Sequence, residues 1–111
     1  MIACDEIPFA GPLCCLPASH FLRPYSPQLR RLDALRFRRI AHGIREAARI
    51  GGVYHLWWHP HNMGVHTDEY LAFLRRVLEV YAECRDRYGM ESLSMAEAAV
   101  VASGRHLQRA A

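Results

Sequence analysis

The sequence predicts an α/β fold made of strand–helix units, and three observations carry that prediction. Short β-branched and aromatic segments alternate with longer amphipathic ones, an order that implies parallel strands joined by crossovers. The segment 53–59, "VYHLWWH", is apolar or aromatic on both faces, as expected of a sheet covered on both sides. With 111 residues, the chain is long enough for one small domain and far short of the roughly 250 residues of a closed eight-unit barrel. Two or three strand–helix units leave a bare sheet edge and uncovered helix faces. The expected object is a single partial domain over residues 1–111, a piece of a larger fold with an edge open to association with another copy or another chain.

The elements follow in order. "LCCLPA" (13–18) reads as a short apolar strand ended by Pro17, with Cys14 and Cys15 facing opposite ways. "SHFLRPYSP" reads as a loop broken by Pro24 and Pro27. Ser26 before Pro27 is a helix start, and the helix runs through "PQLRRLDALRFRRIAHGIREAARI". Leu29, Leu32, Ile40, Ile44 and Ala47 share its apolar face, and Gly51 and Gly52 stop it. Residues 53–59 form the next strand, closed by Pro60, which biases His59 towards an extended backbone. Thr67 caps a second helix, with Asp68 and Glu69 at its positive end and Leu71, Leu74, Val77, Leu78 and Tyr81 as its apolar stripe. Tyr88-Gly89 ends it. "MESL" is a very short strand, and Ser94 with Glu97 forms a capping box opening a last helix. That helix is expected to fray over 102–111.

Composition removes several function classes. Apolar residues make up 51% and charged residues 23%, as in ordinary globular proteins. No apolar run approaches a membrane span, and "MIACDEIPFAG" lacks a basic leader with an apolar core, so no membrane or signal peptide is expected and the location is cytoplasmic by default. The net charge is +3, and all fourteen cations are arginine. No dense basic patch accompanies them, so nucleic acid is not an expected partner. Cys4, Cys14, Cys15 and Cys84 make neither a C-x-x-C pair nor a disulfide framework and read as buried thiols in a reducing compartment.

The chemistry concentrates in "GGVYHLWWHPHNMG" (51–64). Alternation puts Val53, His55, Trp57 and His59 on one strand face and Tyr54, Leu56 and Trp58 on the other. His55 and His59 lie about 13 Å apart at roughly 3.3 Å per residue, too far to share a metal in a regular strand. His55 reads as a core histidine satisfied by a hydrogen bond. Trp57 and Trp58 read as packing residues, one to each face. His61 and Asn62 read as loop caps and His66 as a solvated loop residue. His59 stands at the strand's C-terminal end, where parallel α/β folds collect their chemistry. His59 and His61 also form an H-x-H pair of the kind that holds zinc.

"GGVYHLWWHPHNMG", followed by "TDEYLAFLRRVLE" and "GMESLSMAEAA" and preceded by "LPASHFLRPYSPQLRRL", resembles the C-terminal part of a polysaccharide deacetylase of the chitooligosaccharide type, over about residues 12–100. The resemblance implies a distorted (β/α) barrel of about seven strands, of which this chain holds the last strand–helix units. It implies metal-assisted hydrolysis of an N-acetyl or O-acetyl group on an acetylated carbohydrate. His59 would be the general acid protonating the leaving amine, a task suited to an imidazole, which titrates near neutral pH. Leu56, in the family's leucine–histidine motif, would line the acetyl pocket, and Trp57 would add an apolar wall. The family's divalent metal, zinc by preference, activates water and polarises the carbonyl. Its ligands are absent here: there is no T-F-D-D-like run and no H-x-x-x-H in a loop–helix setting. Arg23-Pro24-Tyr25 echoes an arginine–proline motif but comes one unit too late. No metal ligand is therefore assigned in this chain, and alone it is expected to be inactive. Two other readings stand beside this one: a different barrel hydrolase using the His59/His61 pair, and a non-enzymatic α/β module that binds a partner.

Overall fold

The computed structural model describes residues 1–110, with side chains for all of these except Asp5 and residues 106–110. Its elements are β1 (Phe9–Ala10), β2 (Leu13–Cys14), β3 (His20–Phe21), α1 (Asp33–Ile50), β4 (Leu56–Trp57), α2 (Thr67–Tyr88) and α3 (Met95–Ala110). Short 3-10 turns cover Cys4–Glu6, Pro27–Leu32 and Pro60–Met63.

The expected partial seven-stranded barrel is not what forms. Among the described residues there are three helices and two separate two-stranded sheets. β1 and β2 make an antiparallel hairpin, turned at Gly11 with φ +60°, a left-handed conformation that glycine adopts without penalty. β3 and β4 pair in parallel, His20 opposite Leu56 and Phe21 opposite Trp57. Prolines set the strand lengths. A proline has no N–H to donate to a ladder, and Pro8, Pro12, Pro17, Pro24 and Pro60 leave only brief windows in which one can form.

The β3–α1–β4 unit is nonetheless the parallel crossover that alternation predicts. Its first strand is displaced from the expected place. Residues 13–18 contribute only β2, paired backwards with β1, while "HF" inside the expected loop supplies β3. Of 53–59, only Leu56 and Trp57 join the ladder, and Val53 instead bridges Ile2 in antiparallel sense. "MESL" stays unpaired.

The helices follow the sequence more closely. The helical path begins at Pro27 after an extended Ser26, first as a 3-10 turn, with no side-chain cap from Ser26. Leu29 and Leu32, on that turn, are exposed, and the buried face of α1 is Arg36, Ile40, Ala41, Ile44 and Ala47. Gly51 ends α1 at φ +69°, and the N–H of Gly52 reaches back to the Ala47 carbonyl at 2.8 Å. Gly43 lets α1 lie directly on the ring of Tyr54, where a Cβ would collide.

On α2 the buried stripe is Tyr70, Phe73, Val77, Val80 and Cys84, rotated from the expected one. Aromatic size and polar tips decide the rotation. Tyr70 buries its ring and donates its hydroxyl to the Leu22 carbonyl at 3.1 Å. Phe73 lies 4.2 Å beneath the Arg36 guanidinium and edge-on to Phe37, which Arg76 covers at 4.1 Å. These reciprocal cation–π contacts give part of the arginine content a packing role. Ser94 and Glu97 form the expected capping box: the Ser94 N–H donates to Glu97 at 2.7 Å and the Glu97 N–H to Ser94 Oγ at 3.3 Å. The helix opened there continues to Ala110, across most of the segment expected to fray. All four cysteines are free, and of them only Cys84 is buried. Among the described residues no helix is long and apolar enough to cross a membrane.

Candidate functional site

β3 and β4 end side by side. The Leu22 N–H donates to the Trp57 carbonyl at 2.9 Å, after which the chains diverge into two loops. Each loop is tied down. Tyr70 from α2 holds the Leu22 carbonyl, and Arg36 from α1 donates to the Arg23 carbonyl at 3.4 Å. Arg36 is only 8% exposed; it also pairs with Asp33 at 3.4 Å, and its Nε has no partner among the described residues. Burial lowers the Arg36 pKa, against which Asp33 acts to raise it. The second loop is held by Thr67, the first residue of α2, whose Oγ1 donates to the Met63 carbonyl; it does not cap the helix as expected, since His66 takes the cap position. His66 takes the left-handed backbone at φ +54° just before α2, and its ring meets Tyr25 edge-on at 5.4 Å. His66 is exposed in the loop, as expected, and its ring contact also joins the loops that follow β3 and β4.

His59 stands one residue beyond Trp58, at the C-terminal end of β4, with an exposed ring. It lies edge-on to Trp57 at 5.2 Å and to Phe21 at 5.9 Å, and stacks on His61 at 5.1 Å with the planes 20° apart. Phe21 and Trp57 are register partners with ring centroids 4.4 Å apart. Four rings from β3, β4 and the loop after it therefore form one cluster.

The alternation of faces separates the three assigned residues. Trp57, 37% exposed, shares the face of His59. Leu56 turns the other way and packs, with Tyr54 and Trp58, against the helical core. The apolar surface adjoining His59 is consequently Trp57 with Phe21. Sequence reasoning missed Phe21 by placing it in a loop; the signal was the run 19–23, free of proline between Pro17 and Pro24.

His55 lies at the far end of β4. Its backbone is satisfied: its N–H donates to Ser19 Oγ at 2.9 Å, and its carbonyl accepts from Ser19 N at the same distance. Its Nδ1 is buried with no partner among the described residues, contrary to the expected hydrogen-bonded core histidine. It lines a cavity of about 300 Å³ with Cys4, Tyr54, Met90 and Arg105.

Among the described residues no three His, Cys, Asp or Glu side chains converge as ligands. His59 and His61 supply two donors where zinc takes four ligands, or three and a water. What the arrangement offers is an accessible imidazole beside an aromatic wall, with no side-chain hydrogen bond committing it elsewhere among the described residues. Comparison with protein-family models, curated proteins and solved structures gives no match.

Proposed function

We propose that this chain is the C-terminal segment of a carbohydrate deacetylase and supplies its proton-donating arm. The substrate is an N-acetyl or O-acetyl group on a polysaccharide. The observation that carries the reading is the place of His59: accessible, edge-on to Trp57, at the C-terminal end of a strand paired in parallel across a crossover helix. The resemblance of Leu56-Trp57-Trp58-His59 to the family's last motif supplies the reaction.

In amide hydrolysis water adds to the acetyl carbon, the C–N bond breaks, and the leaving nitrogen must take a proton. His59 gives that proton from its imidazolium and is reprotonated from solvent. Trp57 walls the apolar side of the reacting group and excludes water from it. The donors among the described residues do not fit the family's divalent metal, and on this reading its ligands come from another segment.

The test supplies that segment. A polypeptide carrying an aspartate pair and H-x-x-x-H, encoded next to this chain, is combined with it, and acetate release from N-acetylglucosamine oligomers is measured. Activity that requires this chain and falls at least ~100-fold in His59→Ala, with metal content unchanged, supports the reading. Undiminished activity in His59→Ala removes His59 as the acid.

A further inference from the structure

The net charge of +3 conceals an uneven distribution. Between Glu6 and Glu46 the chain carries seven arginines and a single carboxylate, Asp33. That carboxylate is taken by the buried Arg36 at 3.4 Å. Arg30, Arg31 and Arg38 are exposed, and none of them makes an ion pair among the described residues. Three leucines stand among these arginines, and Leu29, Leu32 and Leu35 are each at least 41% exposed. Side chains three residues apart eclipse in a 3-10 turn, so Leu29 and Leu32 share one side of the turn Pro27–Leu32. Leu35 follows at the same spacing on α1, flanked by Arg31 and Arg38. Ile40 and Ile44 turn the opposite way, into the core.

This surface holds unneutralised cations and bare aliphatic side chains together. Nucleic-acid phosphates would pair with the arginines and leave the leucines against a polar backbone. An anionic bilayer satisfies both at different depths. Leucines enter the boundary between headgroups and acyl chains, while guanidiniums on flexible stems stay level with the phosphates. We infer that residues 29–38 form a peripheral docking surface for an anionic lipid bilayer, with Leu29, Leu32 and Leu35 inserted and Arg30, Arg31 and Arg38 on the lipid phosphates. No spanning helix is needed, and attachment is reversible. The surface shares no residue with the His59 cluster, so the inference stands apart from the deacetylase reading.

The experiment floats the full chain with vesicles of phosphatidylcholine alone and of phosphatidylcholine with about one-third phosphatidylserine. The chain binds the anionic vesicles, not the neutral ones, and added salt weakens binding. Arg30→Gln, Arg31→Gln and Arg38→Gln each weaken it about 5-fold. Leu32→Ser and Leu35→Ser each weaken it by at least ~3-fold. Arg75→Gln, which removes the same charge from the exposed side of α2, changes it by less than ~2-fold. All of these positions are exposed, and circular dichroism checks that each variant keeps the helical signal of the parent. No binding to anionic vesicles, equal binding to neutral ones, or an Arg75→Gln loss equal to that of Arg31→Gln overturns the surface. Leucine substitutions without effect, together with displacement from vesicles by duplex DNA, would assign these arginines to a polyanion and overturn it as well.

Discussion

His20 shows how a single side chain couples this site to its scaffold. It sits on β3 opposite Leu56, half-buried. Burial pushes its pKa below the ordinary value of 6.5, and the charges of Arg39, Arg36 and Arg23 push it the same way. The folded chain therefore binds a proton at His20 less readily than the unfolded chain does. The stability held by the neutral ring is complete above about pH 6.5 and is lost as the pH falls below it, towards the lower folded value. The melting temperature should drop as the pH falls below about 6.5, and His20→Gln, neutral throughout, should flatten that part of the curve. An unchanged slope in His20→Gln would assign the effect to other groups. The features most legible in the sequence were those whose place follows from local signals alone. The extended backbone of His59 just beyond β4 and before Pro60 is one, and the Ser94–Glu97 capping box is another. The resemblance assigns Leu56 to an acetyl pocket, yet the period-two alternation that places it opposite His59 already put it on the helix side.

At the scale of elements, helices were read well and strands poorly, for a physical reason. A helix satisfies its own backbone, so its limits follow local signals such as Pro27, Gly51 and Gly89. A strand needs a partner, and no local signal states that residues 20–21, rather than 13–18, lie beside Leu56 and Trp57. The face a helix buries also depends on what it meets. Both Tyr70/Phe73 and Leu71/Leu74 begin apolar stripes on α2, and the first is buried because Tyr70 reaches the Leu22 carbonyl and Phe73 reaches Arg36. Tyr70→Phe should therefore leave the helices intact and cost about 1–2 kcal/mol in urea unfolding, through the unpaired carbonyl at the end of β3. A loss no larger than that of an exposed tyrosine replacement would mean that the hydroxyl does not hold this loop.

The whole molecule is flat and extended. Its radius of gyration is 15.6 Å and its extents are 52 × 29 × 18 Å, whereas a compact domain of this length has a radius near ~13 Å. Apolar surface remains open along α2, where Leu71 is 47% and Leu78 53% exposed. Exposed stripes of this kind associate. Sedimentation of the chain should show concentration-dependent oligomers, and Leu71→Glu with Leu78→Glu should suppress them; an unaltered monomer in the parent would show that the stripe is tolerated in water. At this scale the sequence was informative about open apolar surface, because uncovered faces follow from length and alternation. It was misleading about architecture, because closing a barrel needs long paired strands that the prolines do not permit.

The central claim is that His59 donates a proton to a leaving amine, and the leaving group is the lever that tests it most directly. The chain, combined with a segment carrying an aspartate pair and H-x-x-x-H, is assayed on an N-acetylated sugar, whose amine must be protonated to depart, and on an aryl acetate, whose phenolate departs unaided. The account predicts that His59→Ala lowers kcat on the N-acetyl substrate by at least ~100-fold and on the aryl ester by no more than a few-fold. Equal losses on both substrates would contradict it and place His59 in binding or in the fold instead.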